Sequence, residues 1–135
     1  ASIGNRFEPG KRPMSTMTPI IIFDENNELK LITGSPGGAL IPAAVLRLVT
    51  GVIDFNLNLG EATMLPRLHK DWPYKNLRLE KGFSKDTLQI LESYGHKLEE
   101  SKTMGSTQSI LISSKGKEGF ADLRRPNAGV AIQID

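Results

Sequence analysis

The chain has 135 residues, 39% of them hydrophobic and 24% charged, enough for one domain's core or part of one and too apolar for a disordered segment. A net charge of +2 from 17 basic and 15 acidic residues is too small, and the basic residues too scattered, to argue for nucleic acid. The lack of cysteine excludes disulfides and thiolate metal sites.

Residues 1–17 are rich in glycine, proline and charge and have no apolar period, which predicts an extended lead-in. Pro19 to Asp24 is an isoleucine-rich run suited to a buried strand. Asp24-Glu25-Asn26-Asn27-Glu28 has turn chemistry, and Leu29 to Thr33 alternates, so the two runs should pair as a hairpin. Gly34 to Gly38 reads as a loop. Pro42 suits a helix's first turn, and Ile41, Val45, Leu48, Val49, Val52 and Ile53 recur on one face of a helix running to about Phe55. A short helix is expected around Leu59 to Thr63. Pro66 to Tyr74, which holds the only tryptophan, Trp72, is predicted to be irregular. Leu77 to Glu80 alternates as a strand. Ser84 can cap a helix that Asp86 favours electrostatically and Gly95 ends. Ser109 to Ile112 is an apolar strand, Ser114 to Lys117 a turn, and Gly119 to Asp122 a return strand. Hairpins at both ends with helices between them predict an α+β fold with a mixed or antiparallel sheet. No apolar run is long enough to span a bilayer, and no signal peptide is visible.

Two segments carry the chemistry. Thr33-Gly34-Ser35-Pro36-Gly37-Gly38 closes a strand and opens a helix, a place where backbone N–H groups can hold negative charge. It matches neither G-x-G-x-x-G nor a P-loop, and Ser35 is not in a nucleophile elbow. The residues leave two readings open: a tight turn needing positive φ, or an oxyanion site built on the N–H groups of Gly37 and Gly38. Pro13-Met14-Ser15-Thr16-Met17-Thr18-Pro19 puts adjacent hydroxyls before the first strand. Ser15 and Thr16 can donate to a carboxylate or serve as turn residues. His69 and His96 are not at metal-ligand spacing, so no metal or cofactor is expected. His69 stands near Asp71, which allows a general-base role beside a packing one. Glu61 with Arg67, and Asp122 with Arg124, are expected ion pairs. Ser106-Thr107-Gln108-Ser109 reads as a structural polar run.

These residues resemble a known family, the gamma-glutamyltransferases (gamma-glutamyltranspeptidases, glutathione hydrolases). Pro9-Gly10-Lys11-Arg12-Pro13-Met14-Ser15-Thr16-Met17-Thr18-Pro19 is similar to that family's "PGKRPLSSMSP", and Thr33 to Gly38 to its "TGSPGG". Glu61-Ala62 with Pro66-Arg67-Leu68-His69 and Trp72 resembles "EA…PRxHHQW". Leu79 to Phe83, Met104 to Ile110 and Asp122-Leu123-Arg124-Arg125-Pro126 also match in kind and order. The resemblance covers essentially the whole chain. Two departures stand out: Thr16 replaces the second of two serines, and Lys70-Asp71 replaces a histidine and a glutamine.

The resemblance implies an N-terminal-nucleophile hydrolase. Its precursor cleaves itself into large and small subunits that build an αββα sandwich, and a new N-terminal threonine attacks the gamma-glutamyl amide of substrates such as glutathione. An acyl-enzyme forms and passes its acyl group to water or an amino acceptor. Ser15 and Thr16 are then expected to hold the alpha-carboxylate of the gamma-glutamyl group, and Gly37 and Gly38 to form the oxyanion hole. Residues 1–135 are expected to be one partial domain, the C-terminal portion of the small subunit. The "TTH" start and the alpha-amino ligands are expected upstream, so the chain alone should be inactive. Its expected partners are the large subunit and the substrate, with no nucleic acid and no membrane insertion. A sheet cut in this way should also self-associate. The implied localisation is periplasmic or extracellular. An acylase or polyglutamate transpeptidase on the same scaffold, or a non-catalytic anion-binding module, is the alternative.

Overall fold

The computed structural model describes residues 4, 6–15, 17–71 and 76–131. Its elements run β1 (Ile20–Phe23), β2 (Leu29–Gly34), α1 (Ile41–Ile53), α2 (Leu59–Met64), β3 (Leu68–His69), β4 (Asn76–Leu79), α3 (Lys85–Ser93), β5 (Lys97–Glu100), β6 (Gln108–Ser113) and β7 (Gly116–Ala121). The fold is α+β. The described part of the lead-in, 6–15 and 17, is exposed and lies outside helices and strands.

The two predicted hairpins join into one antiparallel sheet, β1-β2-β6-β7, because β2 pairs with β6. Asp24 closes the first turn: its Oδ1 accepts the N–H groups of Asn26 and Glu28, each at 2.9 Å. A second, mixed sheet, β3-β4-β5, has α3 connecting the parallel strands β4 and β5. Two of its strands escape the sequence pattern. β3 has only two residues, and β5, Lys-Leu-Glu-Glu, has a single apolar side chain; pairing with β4, rather than local alternation, makes them strands.

The core lies between the antiparallel sheet and the first two helices. Leu31 of β2, Leu48 and Val52 of α1, and Leu59 and Ala62 of α2 form its buried centre. α1 begins with Pro42 in its first turn, as its sequence predicts. A Cβ added at Gly51 would stand 3.0 Å from the Ala62 Cβ, so glycine lets α1 and α2 approach closely. A capping box starts α2: Asn58 Oδ1 accepts the Glu61 N–H at 2.8 Å, and the Asn58 N–H donates to Glu61 Oε2 at 3.2 Å. Glu61 is thereby claimed by its own helix, and the expected Glu61–Arg67 pair does not form; Arg67 pairs with Asp122 instead.

The far face of the antiparallel sheet is also apolar. Register places Ile21, Ile32, Ile110 and Gly119 in one row across its four strands. Ile21 is 60% exposed and Ile110 45%. The C-terminal segment reaches this row, with the Val130 side chain against Gly119. Among the described residues, no helix is long and apolar enough to cross a membrane.

Candidate active site

Antiparallel pairing brings the two candidate segments to the same end of the first hairpin. Ile20 pairs with Thr33, so the chain entering β1 lies beside the chain leaving β2. A Cβ at Gly34 would be 4.0 Å from the Pro19 Cα. Ser15 is exposed, and its Oγ accepts the Met17 N–H at 3.2 Å, a local turn that leaves the hydroxyl proton to donate elsewhere. Thr16 lies outside the described residues.

The glycine loop adopts the backbone that its composition permits. Gly37 has φ 146° and Gly38 φ 58°, and a single 3-10 turn over Gly38–Leu40 leads into α1. Side chains are disfavoured at both angles, so the turn explains the glycines and, equally, shapes the backbone at the start of α1. The reading of a tight turn that needs positive φ is thus met.

A second strand entry supports this loop. A Cβ on Gly37 would stand 3.2 Å from the Gly105 Cα, and one on Gly105 would stand 2.7 Å from Ser35 Oγ and 3.1 Å from the Ala44 Cβ. Ser35 Oγ accepts the Ser106 N–H at 2.9 Å and donates to Pro36 O at 2.8 Å. One turn further into the strands, Thr33 and Ser109 join their hydroxyls at 2.7 Å, as a structural polar run requires.

Buried charge fixes the supporting segment at both ends. The Met104 N–H donates to Glu80 Oε1, and Met104 O accepts from Arg67 Nη1 at 2.7 Å. The Thr107 N–H donates to Asp122 Oδ2 at 3.0 Å. Arg67 Nη2 meets the same Asp122 oxygen at 2.7 Å. Arg124 completes the network through Glu80 at 2.7 Å, Asp122 at 3.2 Å and the carbonyls of Thr63 and Leu65 at 2.8 Å each. The expected Asp122–Arg124 pair is therefore present. Burial opposes ionisation of Asp122, but backbone N–H groups from Arg124 and Thr107, and then Arg67, outweigh it and hold the carboxyl below its ordinary range. Burial lowers the Arg67 pKa, reinforced by the nearby Arg124 charge. Burial works against Arg124 as well, yet its bonds to Glu80 and Asp122 raise it.

His69 stands in the other sheet, at the end of β3, and His96 lies just before β5. His69 Nε2 contacts Asp71, which also contacts Arg78. The bond to His69 does most to lower the Asp71 pKa, with the His69 and Arg78 charges adding to it. His96 Nδ1 lies 3.3 Å from Lys70 Nζ. Among the described residues no cluster of metal ligands forms. Trp72 lies outside the described residues. The motif reading missed the supporting role of Gly105 and the reach of the Arg67–Asp122 network. Its partners are distant in sequence, and no local period announces them.

Comparison with known proteins identifies the family. The family model for gamma-glutamyltranspeptidase matches residues 1–132. The glutathione hydrolase proenzyme of Escherichia coli K12 is 47% identical over 113 residues, covering 84% of this chain and 19% of that protein. The proenzyme of Bacillus subtilis 168 is 36% identical over 133 residues, covering 96% of this chain and 22% of its own length. The chain thus spans about a fifth of the length of the curated relatives it matches. Among solved structures, Helicobacter pylori gamma-glutamyltranspeptidase superposes with a TM-score of 0.82 at 36% identity, over 93% of this chain and 69% of that one. The α+β fold is that of these N-terminal-nucleophile hydrolases, and the chain belongs to the gamma-glutamyltranspeptidase family.

Proposed function

We propose that this chain is the C-terminal portion of the small subunit of a gamma-glutamyltransferase, which cleaves gamma-glutamyl amides such as glutathione. One observation carries the reading: the Gly37–Gly38 turn leaves β2 beside the hydroxyl-bearing entry to β1. In this reading a threonine outside these residues attacks the gamma-carbonyl. The N–H groups of Gly37 and Gly38 stabilise the oxyanion that develops, while Ser15 and Thr16 donate to the alpha-carboxylate and set the substrate's register. The acyl-enzyme then passes to water or an amino acceptor. The 135 residues contain no Thr-Thr-His, so on their own they are inactive. The exposed row of Ile21 and Ile110 supports a large subunit as the covering layer. Alone, the chain would associate through this face. A periplasmic or extracellular setting is part of this reading, carried by the family resemblance of the sequence motifs.

The test is made on the full-length precursor with a chromogenic gamma-glutamyl anilide. Proline is a poor probe of the two donors, since it demands φ near −65° while Gly37 sits at 146° and Gly38 at 58°. Replacing each glycine by glycolate removes the N–H through an ester and leaves φ free. Loss of one donor should slow turnover about a hundredfold or more. Esters at both positions with undiminished turnover would remove the pair from the oxyanion hole. A precursor silent towards the anilide would point to an acylase-like substrate.

A further inference from the structure

We propose that Gly105 and Ser35 are positioning residues, which set the oxyanion loop through the buried Met104–Thr107 strip; this rests on the oxyanion reading of Gly37 and Gly38. Three observations lead there. Gly37 packs tightly against the strip at Gly105: a Cβ there would lie 3.2 Å from the Gly105 Cα, so a side chain would push the two backbones apart by a few tenths of an ångström. Gly105 itself has φ 69°, and a Cβ there would meet Ser35 Oγ at 2.7 Å, the Ala44 Cβ at 3.1 Å and Pro36 O at 3.3 Å. Ser35 ties the two segments by accepting from the Ser106 N–H at 2.9 Å while donating to Pro36 O at 2.8 Å.

The strip is a firm support because its own backbone is held by charge. Both main-chain polar groups of Met104 are bound, its N–H by Glu80 and its carbonyl by Arg67, and the Thr107 N–H is bound by Asp122. Met104, Ser106 and Thr107 are 2% exposed or less. Between these anchors Gly105 presents bare backbone to Gly37. An oxyanion donor works only when it is aimed before the charge appears, and an error of about 1 Å in the reacting geometry costs on the order of a hundredfold. Gly105 and Ser35 touch no reacting atom in this scheme. Their effect passes through the orientation of Gly37 and Gly38.

The full-length precursor is again the material. Ser35→Ala removes the bridging hydroxyl without adding bulk, Ser35→Thr keeps a hydroxyl, and Gly105→Ala pushes a methyl into the loop. Active sites are counted by titration, so that incomplete maturation or partial folding does not enter the rate. Each variant is then measured for kcat and KM with the gamma-glutamyl anilide, and for inhibition by a boronic acid analogue that forms a tetrahedral adduct. Ser35→Ala should lower kcat per titrated site about tenfold with KM within about twofold, weaken the boronate by a similar factor, and be largely restored in Ser35→Thr. Gly105→Ala should act in the same direction and more strongly. Unchanged kcat and boronate affinity per titrated site in Ser35→Ala overturn the proposal, whether or not Gly105→Ala folds. A change in thermal stability alone has the same meaning. The glycolate esters separate the two readings: slow esters with a fully active Ser35→Ala leave the oxyanion hole standing and remove its support, whereas fast esters remove the hole itself.

Discussion

Arg67 Nη2 lies 2.7 Å from Asp122 Oδ2 across 55 residues of sequence, with side chains 3% and 0% exposed. The pair connects the turn after α2 to the end of β7, and each member also binds the backbone of the strip between β5 and β6. Removing one partner strands a buried charge as well as breaking a contact. Asp122→Ala should therefore destabilise the full-length protein by about 3–5 kcal/mol, measured by chemical denaturation, and Asp122→Ala with Arg67→Met should cost less than the sum of the two single variants, because the shared contact is lost only once. Losses that simply add would contradict this account.

The same aspartate predicts a dependence on pH. In the fold its pKa lies below the ordinary value of an aspartate, so its stabilising contribution is complete above that ordinary value and is lost as pH falls through the folded pKa. The stability difference between the native protein and Asp122→Asn should be constant from neutral pH down to about 5, then shrink in more acid solution. A difference that changes between pH 6 and 8 would assign the effect to another group.

The capping box gives a smaller, local expectation. Asn58→Ala removes the acceptor for the Glu61 N–H and should cost about 1 kcal/mol. Leu48→Ala, at a side chain with no exposed surface, should cost about 2–5 kcal/mol. Thermal denaturation of the two variants should rank them in that order. Glu61→Gln should cost less than Asn58→Ala, because Glu61 has no part in the Arg67 network and glutamine can still reach the Asn58 N–H.

Local pattern read the hairpins and helices because their signals are local. Ile41, Val45, Leu48 and Val52 repeat at helical spacing, and all four are buried. Asn27, at φ 63°, sits in the turn that its composition announced. Strands β3 and β5 carry no such signal, since their conformation comes from partners far along the chain. The site divides in the same way. Glycines at 37 and 38 announce a special backbone, but nothing in the sequence pattern says that Gly105 lies against it. Arg67 illustrates the harder case. Glu61 is six residues away and looks like its partner, yet helix capping takes Glu61 and the fold supplies Asp122. A short sequence separation is a weak guide once a local motif competes for the same carboxylate.

The hydroxyl pair at the entry to β1 makes the last prediction, on substrate recognition. The Ser15 Oγ already accepts from the Met17 N–H, so its proton is the group left to give to a ligand. A hydrogen bond to a charged carboxylate contributes about 1.5–3 kcal/mol, hence about tenfold to a hundredfold in affinity. In the full-length enzyme, Ser15→Ala should raise KM for the gamma-glutamyl anilide by about that range and change kcat less. Thr16→Ser, which restores the residue usual in the resembling family, should stay within about twofold because the hydroxyl is kept. The decisive comparison uses 4-aminobutyryl anilide, which lacks the alpha-carboxylate. If Ser15 binds that group, native enzyme and Ser15→Ala should handle this substrate equally, and the native preference for the gamma-glutamyl compound should collapse in the variant. A variant that loses the same factor on both substrates would show that Ser15 shapes the turn and does not read the carboxylate.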